Sequence, residues 1–152
     1  MTEPAKGGPS SVTRVSQDPG ATEWEVGGLH LSVAFRRDDG ATLRVFGRTA
    51  KGWTEMLRFD DFIEGPHYHV SIDRPIIPFD RATRGDPMEF YVSEVRDHLP
   101  ELLVEAGFAD VAAEADLDAV AADADRIRKE MIDCVPDGYQ RVPGIGLQRS
   151  EA

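Results

Sequence analysis

Between Thr22 and Ile72 the chain reads TEWEVGGLHLSVAFRRDDGATLRVFGRTAKGWTEMLRFDDFIEGPHYHVSI, and this stretch decides the fold. Apolar and polar residues alternate along it, and Gly- or Asp-rich breaks recur at short intervals. A period of two is the mark of strands that bury one face. It predicts an antiparallel meander with strands at 22–26, 29–36, 42–48, 53–59 and 67–72. Gly27-Gly28 suits a two-residue hairpin because glycine accepts positive φ, and Asp38-Asp39-Gly40 supplies the next turn. Tight connections of this kind pair strands in sequence order.

Downstream the period changes. Residues 73–85, with Pro75, Pro78 and Gly85, read as a crossing segment that cannot continue a central strand. Asp86-Pro87-Met88-Glu89 then supplies a helix start: an acid at the cap, a proline at the first position, and a Glu placed to reach back to the cap nitrogen. Val92, Val95, Leu99, Leu102, Leu103 and Ala106 follow at three- and four-residue spacing, with Gly107 as the stop. Pro100 is expected to kink or split this helix near Asp97. A second helical stretch is expected from Asp110 or Asp116 to Cys134, with Val120, Ala124, Ile127 and Met131 facing inward.

The class expected is therefore α+β: an antiparallel β-meander of about five strands with C-terminal helices packed on one face. Residues 1–21, rich in Gly, Pro, Ser and Thr, read as a disordered lead-in; 22–135 as a single domain; and 136–152 as an extended or disordered tail.

Composition narrows the function. The 152 residues include 17 basic and 28 acidic side chains, for a net charge of −11, and one cysteine, Cys134. One cysteine excludes an intramolecular disulfide framework and a multi-cysteine zinc site. Cys134 reads as a small core residue. No apolar run approaches the roughly 18 residues of a membrane span, and the N-terminus lacks the apolar segment of a secretory signal. Cytoplasmic residence is the expectation, with no membrane partner. Residues 86–135 hold 14 acids and 4 bases, so nearly all the excess charge lies there, while residues 22–85 are almost balanced. The acidic helical face, or the sheet face, is expected to meet a protein partner, and nucleic acid only the basic sheet face. Gly144-Ile145-Gly146 follows no predicted strand and opens no helix, so it is not a dinucleotide loop.

Strand periodicity also assigns faces. Leu29, Leu31, Val33, Phe35, Leu43, Val45, Trp53, Leu57, Phe59, Tyr68, Val70 and Ile72 fall on the side the helices must cover. His30, Arg36, Arg44, Phe46, Arg48, Met56, Arg58, His67 and His69 fall on the other, and a one-residue bulge would move part of the set across.

His67-Tyr68-His69 is the most informative triplet, because residues i and i+2 of a strand project side by side. Two imidazoles so placed can share a zinc or iron ion, with Asp60, Asp61 or Glu64 from the loop just before the triplet as a further ligand. His30, three strands away at roughly 14 Å, cannot join unless the sheet closes. Alternatively Arg44, Arg58, His67 and His69 form an anion-binding face, with His67 and His69 as general acid and base on a phosphodiester and Phe46 as a stacking platform. A third reading pairs the arginines with Asp38, Asp39, Glu55 or Asp61 and leaves the histidines on an exposed strand. The leading functional expectation is a non-enzymatic binding or accessory module with an anion-binding sheet face; the alternative is a metal-dependent or phosphodiester-directed enzyme using His67 and His69.

Leu57-Arg58-Phe59-Asp60 followed by Pro66-His67-Tyr68-His69, on a meander leading into a capped helix, resembles small uncharacterised bacterial α+β domains and, more distantly, the TumE-type toxins of toxin–antitoxin pairs. The resemblance covers about residues 23–106 and implies the same order of turn, histidine-bearing strand and helix. Its toxin side implies a ribonuclease-like use of His67 and His69. The chain departs from that pattern in its acidity, its second helical stretch and its shorter histidine tract.

Overall fold

The computed structural model describes residues 13–150. The expectation of disorder for residues 1–12, and of a tail at 151–152, lies outside them. Six strands form one antiparallel sheet in sequence order: β1 Thr22–Val26, β2 Leu29–Arg36, β3 Gly40–Thr49, β4 Gly52–Phe62, β5 His67–Val70 and β6 Ile77–Pro78. The helices among the described residues are α1 Arg81–Arg84, α2 Pro87–Glu105, α3 Ala109–Glu114, α4 Leu117–Ala122 and α5 Ala124–Asp133. A separate hairpin, β7 Tyr139–Val142 and β8 Gly146–Arg149, closes the described chain. The α+β class holds, with one strand more than expected.

The inner face is the apolar one. Leu29, Leu31, Val33, Leu43, Val45, Leu57, Phe59 and Val70 are enclosed against Met88, Tyr91, Val95 and Leu103 of α2, Val120 of α4, and Ile127 and Met131 of α5. Each such side chain contributes about 1.5–3 kcal/mol of transfer free energy. Gly27 and Gly28 both take positive φ in the β1–β2 turn. Pro78 sits on the edge strand β6, where its missing N–H costs no ladder bond.

The α2 helix starts as expected, with the Asp86 carboxylate accepting from Met88 N–H at 2.9 Å. It ends in a Schellman motif: Gly107 N–H donates to Val104 O and Phe108 N–H to Leu103 O. Two details differ. Glu89 does not return to the cap; it pairs with Arg128 of α5 at 2.8 Å. Pro100 does not split the helix, which runs unbroken to Glu105. Pro100 lies on the exposed side beside Arg96, Asp97 and His98, where water can satisfy the carbonyl that proline leaves free.

The face assignment is broken once, by a bulge. Val45 pairs with Leu57 but Phe46 pairs with Glu55, so Met56 is the additional residue on β4. Met56 turns into the core at 0% exposure, under Gly47, where a Cβ would lie 2.7 Å from the Met56 sulfur. Trp53 correspondingly moves to the outer face, where its ring lies 5.4 Å from that of His30 and 4.7 Å beneath the Arg48 guanidinium. Ile72 lies beyond the end of β5.

The described parts of the two flanking segments, read as a disordered lead-in and as an extended or disordered tail, are held by specific contacts. Within residues 13–21, Val15 and Ser16 N–H donate to Glu23, and the Asp18 carboxylate receives Arg44 at 2.8 and 3.1 Å. In the C-terminal stretch, the Tyr139 ring packs at a tilt against Phe35, centroids 4.7 Å apart, and Leu147 is enclosed. Two four-residue strands are too short to show a period in sequence.

Candidate metal centre

The outer face carries polar residues that are as enclosed as the core. His30, Ser32 and Thr42 show 0% exposure and Asp60 shows 1%. Asp60 is the cross-strand partner of Thr42 on one side and of His67 on the other. Its Oδ1 accepts from the Thr42 hydroxyl at 3.0 Å. Its Oδ2 faces two imidazoles, with His67 Nε2 at 3.0 Å and His69 Nε2 at 3.6 Å. The two rings are edge to face, 5.3 Å apart.

These three donors converge, all within 4.8 Å of one another. Three N and O ligands at about 2.1 Å from one ion stand roughly 3–3.5 Å apart, so small rotations would close this set around a metal. The supporting contacts fit that use. His67 Nδ1 lies 2.8 Å from the Gly65 carbonyl, which holds the Nδ1–H tautomer and leaves Nε2 directed at Asp60. Burial, aided by the neighbouring charges of Arg58 and His67, keeps His69 below its ordinary pKa against the pull of Asp60, which favours the neutral ring a metal requires. The His69 Nδ1 is enclosed without a hydrogen-bond partner among the described residues.

Two inner-face contacts fix the frame. The Tyr91 hydroxyl shares its proton between the carbonyls of Asp60 and His67, at 3.2 and 3.1 Å. Burial first, then the Asp61 and Asp60 charges, pushes the Tyr91 phenol far above its ordinary range, so it remains a donor. Asp61, the other carboxylate expected as a ligand, points to the opposite face, because adjacent residues of a strand alternate. There it pairs with Arg141 at 2.5 Å. Glu64 is 90% exposed and faces Arg149 instead.

The four-residue anion face is not assembled as expected. Arg44 is clamped by Asp18 and by Glu55, and Arg58 donates to Glu55 at 2.8 and 3.3 Å. Glu55 was foreseen as an arginine partner, whereas Asp18 lies in the segment read as disordered. Phe46 is enclosed against His30 and offers no stacking platform. His30 itself is bound to Glu23 at 2.9 Å, on the same face but three strands from β5, and takes no part in the cluster. Arg36 stays near Asp39 at 3.8 Å, over the Phe62 ring. Cys134 is half-buried and its thiol is pushed up to about 11, chiefly by burial, which leaves it unreactive at neutral pH.

Thr42, Gly65 and Tyr91 were not singled out in the sequence. Thr42 shares the parity of Arg44 and was legible on that basis; Tyr91 was legible only as a helical core position.

A six-stranded antiparallel meander backed by helices, with a carboxylate and two imidazoles on its outer face, defines the class. The chain belongs to the DUF7700 family, a domain of unknown function whose family model matches residues 23–131. That span holds Asp60, His67, His69 and Tyr91 but neither Asp18 nor Arg141. No curated protein and no solved structure matches the chain. No helix among the described residues is long and apolar enough to cross a membrane.

Proposed function

We propose that this chain is a metal-binding module that holds a divalent transition ion, zinc or iron, through Asp60 Oδ2, His67 Nε2 and His69 Nε2. The observation that carries the reading is their convergence, with each of two ligands braced from behind: Asp60 by Thr42 and His67 by the Gly65 carbonyl. Three protein ligands of mixed N and O type suit these ions and leave coordination positions open to a further ligand. A His67–Asp60 ion pair accounts for two of the three donors, whereas the metal reading also accounts for His69 Nε2, which lies 3.6 Å from the same carboxylate oxygen. The ribonuclease reading rests on the resemblance alone, since Arg44 and Arg58 have carboxylate partners and Phe46 is enclosed.

The test is the metal content of purified protein, followed by zinc titration of the metal-free form. Wild type should bind one ion, and Asp60→Asn, His67→Ala and His69→Ala should each lose it. Binding should weaken as pH falls, because protons compete for the imidazoles. Absence of micromolar zinc binding by wild type would overturn the proposal.

A further inference from the structure

Arg58 carries the fixed charge that the strand register sets beside this cluster. It is the cross-strand partner of His69 on the outer face. Residues three apart on a regular strand face opposite sides, yet Glu55 and Arg58 share one, because the bulge at Met56 inserts a residue between them. Glu55 grips Arg58 at Nε and Nη2 and is itself held by Arg44 Nη1 at 3.0 and 3.2 Å, with Asp18 behind Arg44. Arg58 is therefore preorganised, and its Nη1 has no hydrogen-bond partner among the described residues.

Charge balance points the same way. Asp18, Arg44, Glu55 and Arg58 neutralise one another. Two neutral imidazoles and one carboxylate leave a divalent ion with a net positive charge. We infer, resting on the metal reading, that the site takes a small oxyanion, a phosphoryl or carboxylate group, with one oxygen on the metal and another accepting from Arg58 Nη1. A phosphoryl or carboxylate group offers one oxygen to each, and a charge-assisted guanidinium bond gives the direction.

Zinc is titrated calorimetrically into the metal-free full chain in the absence of oxyanion, with inorganic phosphate, and with acetate. Because ligands that bind together tighten one another reciprocally, either anion should raise the apparent zinc affinity about tenfold or more. Arg58→Ala should still bind zinc without anion and lose the anion effect. Arg58→Lys, which keeps the charge and the fold, should retain only part of it. A larger effect of phosphate assigns a phosphoryl ligand, and a larger effect of acetate assigns a carboxylate. Zinc binding that ignores both anions, or an anion effect undiminished in Arg58→Ala, overturns the inference while the metal reading stands. Failure of zinc to bind at all removes both.

Discussion

Arg141 Nη1 meets Asp61 Oδ2 at 2.5 Å across eighty residues of chain, and this pair ties the C-terminal hairpin to the inner face of the sheet. A second Arg141 bond, to the Met131 carbonyl at 2.8 Å, holds the end of α5 to the same point. Asp61 is fully enclosed. Removing its partner leaves an uncompensated buried charge, so Arg141→Met should cost about 3–5 kcal/mol in urea unfolding. Burial, foremost, raises the Asp61 carboxyl above its ordinary pKa, and Arg141 opposes it. A raised carboxyl favours folding below its unfolded value and loses that advantage as pH rises through the folded one. The deficit of Arg141→Met should thus be greatest at neutral pH and shrink toward pH 4. Adding Asp61→Asn should recover part of it. A deficit independent of pH would show that Arg141 acts through packing alone.

Tyr91→Phe removes one hydroxyl and almost no volume. It frees the Asp60 and His67 carbonyls on which two proposed ligands hang. Stability should fall by about 1–2 kcal/mol, and zinc affinity by about tenfold, as expected when a supporting contact is lost. Equal zinc affinity in wild type and Tyr91→Phe would mean that the strand pairing holds the ligands without it.

Glu23 supplies a pH response on the outer face. Burial raises its pKa, but the Ser16 and Val15 N–H groups, His30 and Arg14 together hold it below the ordinary glutamate value. A depressed carboxyl contributes stability that is present above its unfolded value and lost as pH falls through the folded one. Wild type should therefore lose stability below about pH 4.5 more steeply than Glu23→Gln. Parallel profiles for the two, followed by denaturant midpoints between pH 7 and pH 3, would contradict this role.

The two glycines of the first turn should behave differently. A Cβ at Gly27 would overlap the Asp116 carbonyl oxygen and press on Val120, where the start of α4 docks against the turn through Asp116 N–H to Gly27 O at 2.9 Å. A Cβ at Gly28 meets nothing within 4 Å. Both have positive φ. Gly28→Ala should cost about 1 kcal/mol of backbone strain, and Gly27→Ala about 3 kcal/mol or more, since strain and overlap add. Comparable thermal midpoints for the two variants would refute the docking role of Gly27.

How far the site could be read from sequence depends on the range over which each determinant acts. Alternation between Thr22 and Val70 is local, and it placed His67, His69 and Arg58 on one face with Asp60 two residues from Arg58. The cap at Asp86 and the stop at Gly107 are also local, since each acts through hydrogen bonds to residues nearby. Glu89 shows the limit: its spacing suits a return to the cap, but Arg128 offers a charged partner from another helix.

What the sequence determined by itself was the meander, its order and the polarity of its faces, because strand period and tight turns act over a few residues. Only the tertiary structure decided which of Asp60 and Asp61 meets the histidines, since that depends on which strand lies alongside and in what register. The bulge at Met56 was likewise invisible locally: it moved Trp53 outward and brought Glu55 beside Arg58 because the core could enclose Met56 under Gly47. Asp18 and Arg141 come from segments with no period of their own. They are ordered by buried charges far away in the chain, and such pairing exists only once the sheet has formed.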